Sequence, residues 1–160
     1  MIELPDEAAT CTFAACLASE AVAGDIIGLS GTLGVGKTVF ARAFIRALTQ
    51  PHEVVPSPTF TLMQHYASPQ LAVYHYDLYR IESDNEVQEL GFEDAMANAV
   101  SLIEWPERAS IPQTEQRLDI LIKEVAGACS EKRHLKIDVG KGWSKRFKSI
   151  LAVFEATAND

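Results

Sequence analysis

Apolar positions recur at helical spacing in three places along the chain. Between residues 8 and 22, Phe13, Cys16, Leu17 and Ala21 share one side of an amphipathic helix, which Gly24-Asp25 then breaks. From Lys37 to Leu48, Phe40, Phe44 and Leu48 line one face of a second helix, and Trp143, Phe147, Ile150, Leu151 and Phe154 mark a last one. Elsewhere the pattern is that of strands. Ile26-Ile27-Gly28-Leu29-Ser30 and Ala99 to Ile103 are short unbroken apolar runs, as buried strands require, the second closed by Glu104-Trp105-Pro106. Thr59 to Tyr66 and Leu71 to Tyr76 flank Ala67-Ser68-Pro69-Gln70 and predict a hairpin. Arg117 to Lys123 and His134 to Val139 predict two more strands. The latter alternates Leu135, Ile137 and Val139 against Lys136 and Asp138, which suits an antiparallel strand with one wet face. Residues 85 to 97 read as short helical pieces interrupted at Gly91, and Pro56-Ser57-Pro58 must be an ordered loop because proline cannot sit in a helix interior. The sum is an α/β fold with a mixed parallel and antiparallel sheet flanked by helices.

Composition narrows this further. The chain has 160 residues and 48% hydrophobic content, enough for one domain over residues 1–160. No apolar run approaches the roughly 20 residues that span a bilayer. The first residues carry Glu3, Asp6 and Glu7 where a secretory leader would be basic, so a cytoplasmic setting is expected, with no membrane partner. Cys11, Cys16 and Cys129 lack metal-ligand spacing and read as small core residues in a reducing compartment. A net charge of -8 disfavours sequence-independent capture of nucleic acid.

The chemistry concentrates in Gly31-Thr32-Leu33-Gly34-Val35-Gly36-Lys37-Thr38, between a predicted strand and a predicted helix. Triphosphate binding needs several donors converging on crowded oxygens, and residues small enough to let the backbone approach. Gly31, Gly34 and Gly36 provide that freedom, and the backbone N–H groups of Thr32, Leu33, Val35 and their neighbours form an anion nest at a helix N-terminus. Lys37 adds a point charge between the outer phosphates, and Thr38 a hydroxyl for Mg²⁺. The expected ligands are therefore a nucleoside triphosphate, ATP foremost, and magnesium. Turnover also needs an acid to organise the metal's water or the attacking water. Asp77 and Glu104 are the candidates, because each ends an apolar strand, at Leu71 to Asp77 and Val100 to Glu104.

Four segments taken together resemble one family. They are Gly31 to Thr38, Ser57-Pro58-Thr59-Phe60, His75-Tyr76-Asp77-Leu78-Tyr79-Arg80 and Ile103-Glu104-Trp105-Pro106-Glu107. Over about residues 8 to 108 the chain is similar to the bacterial tRNA threonylcarbamoyladenosine biosynthesis ATPases, the TsaE family of phosphate-loop (P-loop, Walker A) NTPases. The resemblance implies a small ATPase that assists a transferase complex of two other proteins and does not itself transfer the threonylcarbamoyl group. It implies hydrolysis that is slow alone and partner-dependent, with tRNA met through the complex. By motif position Lys37 would hold phosphates, Thr38 and Glu104 the metal, and Asp77 and Glu104 the metal and the water. Thr59 would lie in a nucleotide-sensing loop and Trp105 near the nucleotide. The family loop commonly has an acidic residue where this chain has Thr32, and Ala where it has Val35. Neither is a side-chain phosphate contact in the general loop mechanism.

Plainer readings stand beside these. His75 between tyrosines reads as a packed or hydrogen-bonded histidine, and Trp105 before Pro106 as a core-capping aromatic. Lys141, Lys145, Arg146 and Lys148 read as a solvated helix face or, alternatively, a contact for tRNA or an acidic partner. A small-molecule kinase would use the same loop, but it needs an arginine-bearing lid and no paired-arginine segment is evident. A nucleotide-gated binding module with incidental hydrolysis is the remaining alternative.

Overall fold

Asp6 starts the first helix by lending its carboxylate to the Ala9 N–H at 2.8 Å, which satisfies a donor that the first turn would leave bare. The computed structural model describes residues 1–127 and 131–158. In chain order the elements are β1 (Ile2–Leu4), α1 (Glu7–Ser19), β2 (Ile26–Ser30), α2 (Lys37–Leu48), β3 (Met63–Tyr66), β4 (Ala72–Asp77), α3 (Asp84–Glu89), α4 (Phe92–Asn98), β5 (Ala99–Glu104), β6 (Arg117–Glu124), β7 (Arg133–Val139) and α5 (Ser144–Ala158). The strands form one seven-stranded sheet in the order β1-β7-β6-β2-β5-β4-β3. Its centre is parallel, through β6, β2, β5 and β4, and antiparallel strands lie on both flanks. The α/β fold with a mixed sheet is as the pattern predicts.

Helices cover both faces of the parallel centre, which is why β2 and β5 are apolar without alternation. Ile27 and Leu29 of β2 join Phe13, Leu17, Phe40 and Phe44 of α1 and α2 in the larger core, where Phe13 meets Phe154 of α5 edge to face at 5.2 Å. Ile26 and Ile103 face the other way, into a smaller core with Tyr76, Phe92 and Ala95. At Gly28 a Cβ would run into the Asp119 carboxylate on neighbouring β6, which would have to leave its Arg117 partner to make room.

Three features depart from the sequence pattern. The first hairpin strand begins only at Met63; residues 59 to 62 form a turn in which Leu62 takes φ 66° and donates to the Pro58 carbonyl at 2.8 Å. Trp143 sits in a 3₁₀ turn (Lys141–Trp143) ahead of α5, fully buried, its indole N–H given to the Gln116 carbonyl at 2.9 Å. And β1 has no counterpart in the pattern, since three residues are too few for alternation to register.

The basic cluster also divides. Lys141, Lys145 and Lys148 are exposed, but Arg146 turns inward and lies over the Trp143 ring at 3.8 Å. It grips the fully buried Asp25 through two N–H···O bonds of 2.7 and 2.9 Å, and reaches the Glu20 and Gly142 carbonyls and the Gln116 amide oxygen. Its five donors are all used, so Arg146 leaves the solvated face and ties α5 to the strand starts. Cys16 packs partly buried on the larger core, and Cys11 lines a groove between α1 and α2. Burial holds both thiols protonated. Cys129 lies outside the described residues.

Candidate functional site

The loop between β2 and α2 takes the backbone conformations its glycines allow. Gly31, Gly34 and Gly36 have φ of 145°, 80° and 118°, all in the region that L side chains avoid. Gly31 is doubly constrained, because a Cβ there would lie 2.6 Å from the Ile122 carbonyl oxygen. Thr32 and Leu33 form the exposed tip of the loop, whereas Val35 is buried and directs its side chain into the core. The first N–H groups of α2 lack intrahelical acceptors and converge where the loop ends.

Lys37 is buried, and its ammonium donates to the Gly31 and Thr32 carbonyls at 2.8 Å each. The same group lies 4.1 Å over the Trp105 ring. Burial lowers the pKa of Lys37, while Glu104, Glu107 and Asp77 oppose that shift through their charge. On the next turn position, the Thr38 hydroxyl donates to Glu104 Oε1 at 2.8 Å. Sixty-six residues separate the two in sequence. Parallel pairing of β2 with β5 brings them together, because both strands end on this side of the sheet.

Asp77 and Glu104 are direct neighbours in the parallel register of β4 and β5, so both carboxylates leave the sheet at one place. Both are buried. Burial raises the pKa of Asp77 and the Glu104 charge adds to this. The Tyr79 N–H at 3.0 Å and the Thr59 hydroxyl at 3.3 Å pull the other way. Thr59 also shares a hydrogen bond with Ser57 at 2.8 Å, so the Pro-bounded loop is linked to an acid of the site. Lys37, Thr38, Thr59, Asp77, Glu104 and Trp105 all face one cleft of about 220 Å³, together with Gly34, Gly36 and Leu33. Gly31, Thr32 and Val35 belong to the loop but not to the cleft wall.

The site has further neighbours to which the sequence assigned no role in it. His75 is fully buried, neither ring nitrogen has a hydrogen-bond partner, and Nε2 stands 3.7 Å from Glu104 Oε2. Tyr79 packs on Trp105 at 4.8 Å, and Arg108 covers the Tyr79 ring at 5.0 Å. Arg133 reaches across from β7 to donate to the Val35 carbonyl at 2.7 Å, over a sequence gap of 98 residues that no motif spans.

The donor set fits a phosphate with a hard divalent ion. Among the described residues no group of three His, Cys, Asp or Glu side chains could hold a metal by itself. The Thr38 hydroxyl and the Glu104 carboxylate are two hard oxygens, a set suited to an ion that keeps several waters and shares phosphate oxygens, as Mg²⁺ does. Among the described residues no helix is long and apolar enough to cross a membrane.

A family model described as "Threonylcarbamoyl adenosine biosynthesis protein TsaE" matches residues 4–135. The chain is 44% identical over 107 residues to the tRNA threonylcarbamoyladenosine biosynthesis protein TsaE of Rickettsia typhi, covering 67% of this chain and 74% of that one. It is 37% identical over 120 residues to the protein of that name from Bacillus subtilis, covering 74% and 73%. The crystal structure of Bacillus subtilis YdiB superposes with a TM-score of 0.72 at 27% identity, over 94% of this chain and 93% of that one.

Proposed function

The chain belongs to the TsaE family of threonylcarbamoyl adenosine biosynthesis proteins, and on that premise we propose that it is an ATPase acting with Mg²⁺ in tRNA threonylcarbamoyladenosine modification. Its hydrolysis supports a transferase complex of two other proteins, through which tRNA is met, and it does not transfer the threonylcarbamoyl group itself. The reading is carried by one observation, the 2.8 Å bond from the Thr38 hydroxyl to the Glu104 carboxylate. That bond joins the hydroxyl of a phosphate loop to an acid at the end of the strand beside it. A glycine loop alone explains anion binding; a loop threonine held by a buried acid supports metal-assisted phosphoryl chemistry.

The roles follow from the present contacts. Lys37 exchanges the Gly31 and Thr32 carbonyls for phosphate oxygens, a stronger partner because both sides are charged. Thr38 and Glu104 would hold Mg²⁺, which would supply positive charge to the phosphoryl oxygens. Asp77, kept polar by Tyr79 and Thr59, orients the attacking water beside Glu104. Thr59 couples that acid to the Ser57 loop, so occupancy of the cleft is felt at a surface where a partner docks.

The test is ATP hydrolysis by the purified chain, alone and with the two transferase proteins, alongside reconstituted tRNA modification. Slow turnover alone, acceleration with the partners and modification only with them is the expected pattern. Wild-type turnover by Glu104→Gln, or tRNA modification by this chain alone, would overturn the reading.

A further inference from the structure

Among the described residues, the buried side-chain atoms without a hydrogen-bond partner are Ser101 Oγ, Thr114 Oγ1 and both ring nitrogens of His75. The imidazole is the exception that matters. A neutral ring carries one donor and one acceptor, and here both stand idle in a fully buried side chain. Leaving such groups unmet opposes folding, and an apolar ring would fill the same space without that cost. Its direction shows what it is set against. Side chains alternate along β4, so Val73, His75 and Asp77 share a face with Val100, Leu102 and Glu104 of β5. His75 is therefore diagonal to Glu104, one pleat below the pair of acids, and its Nε2 stands 3.7 Å from Oε2.

The two oxygens of Glu104 are in different states. Oε1 takes the Thr38 hydroxyl at 2.8 Å, and among the described residues Oε2 takes no donor. The other donors of the site are engaged elsewhere. Lys37 is on the Gly31 and Thr32 carbonyls, while the Tyr79 N–H and the Thr59 hydroxyl are on Asp77. That leaves the imidazole facing Oε2, about 0.5 Å beyond the usual reach of an N–H···O bond, a gap that a small turn of the Glu104 side chain closes. A carboxylate that ligates through one oxygen swings unless its other oxygen is held, and an N–H behind it supplies that hold.

We propose that His75 is a positioning residue for Glu104, giving its Nε2–H to Oε2 while Oε1 and the Thr38 hydroxyl serve Mg²⁺. The inference rests on the Mg²⁺ reading above, and the experiment keeps the two apart. Calorimetry on the full chain measures binding of the non-hydrolysable analogue AMP-PNP with Mg²⁺ and in EDTA, and the ratio of the two affinities reports the metal site. His75→Phe keeps a flat ring and removes the donor, so that ratio should fall about tenfold. His75→Gln, whose amide nitrogen can take the place of Nε2, should restore it. A side chain that only fills space would give the reverse, with phenylalanine as good as histidine and glutamine worse. That pattern, or equal loss with and without Mg²⁺ in folded His75→Phe, would overturn the proposal. The wild-type chain supplies a second measurement. In ¹⁵N spectra of its imidazoles, the His75 ring, identified by its absence in His75→Gln, should carry its proton on Nε2 in the complex with Mg²⁺ and AMP-PNP. A proton on Nδ1 would overturn the proposal, because a lone pair would then face the carboxylate. If Mg²⁺ left the wild-type affinity for AMP-PNP unchanged, the metal reading itself would fall, and this inference with it.

Discussion

Asp25 and Glu104 are both buried carboxylates at the edge of the same central strands, yet the protein treats them oppositely. Asp25, just before β2, accepts from the Val22 N–H at 2.7 Å and from both ends of the Arg146 guanidinium. Its charge is matched and both of its oxygens accept hydrogen bonds. Glu104, at the far end of β5, accepts one hydrogen bond, from Thr38, and has as its nearest cation-forming neighbour a histidine at 3.7 Å with no partner of its own. Burying a charge in that condition is unfavourable for folding. An acid left with one hydrogen bond is the condition that the proposed cation site at Glu104 requires, and a fully paired acid such as Asp25 could not serve it. Lys37 repeats the lesson from the cationic side, since loop carbonyls are weaker partners than phosphate oxygens.

The sharpest break would come at the closed end. Arg146→Met should cost about 3–5 kcal/mol of folding stability, because it strands a buried carboxylate. Chemical denaturation measures this, and nucleotide affinity of the folded fraction should stay within about twofold of wild type if the two regions are independent. At the open end Lys37→Ala should weaken ATP by about 100-fold, ~2.7 kcal/mol, with little change in stability. Calorimetry that returned wild-type affinity would remove Lys37 from the phosphate site.

Glu104→Gln should lower turnover by about 100-fold while ATP affinity falls far less, as expected for a group that matters most while charge develops. Unlike loss of Arg146, it should leave stability equal or higher, since it removes a charge that has one hydrogen bond. A large drop in stability would make Glu104 a structural acid like Asp25. Asp77→Asn should behave similarly with a distinct pH signature. Burial raises the Asp77 pKa above its ordinary value of 3.8, so the native state binds the proton more tightly than the unfolded chain does. The penalty is absent at low pH and grows as pH rises through 3.8 and then through the higher native value. The asparagine variant should therefore gain stability over wild type above that window and match it below. Equal pH profiles would show that Asp77 titrates normally.

The smallest effect expected is optical. Trp143 is sealed under Arg146 and Trp105 borders the cleft, so in Trp143→Phe the remaining indole should change its emission when ATP and Mg²⁺ bind. A flat titration under conditions where calorimetry detects binding would place Trp105 outside the nucleotide's reach.

Sequence alone determined the parts whose cause is local. The period of apolar residues marked α2 and β7 and unbroken apolar runs marked β2 and β5, because a repeat or a run is a property of neighbouring residues. The glycine loop was legible because a positive φ at Gly31, Gly34 and Gly36 is a demand on single residues. Asp77 and Glu104 were legible as acids that end apolar strands, and the family motifs supplied Thr59 and Trp105. What only the tertiary structure decided is pairing across the chain. Parallel register set Asp77 beside Glu104, and the strand order carried Glu104 to Thr38. The same order let Arg133 reach Val35, and withdrew Arg146 from a basic face into a salt bridge with Asp25. Such contacts leave no period in the sequence, because their distance along the chain is set by topology and not by the geometry of a turn or a pleat.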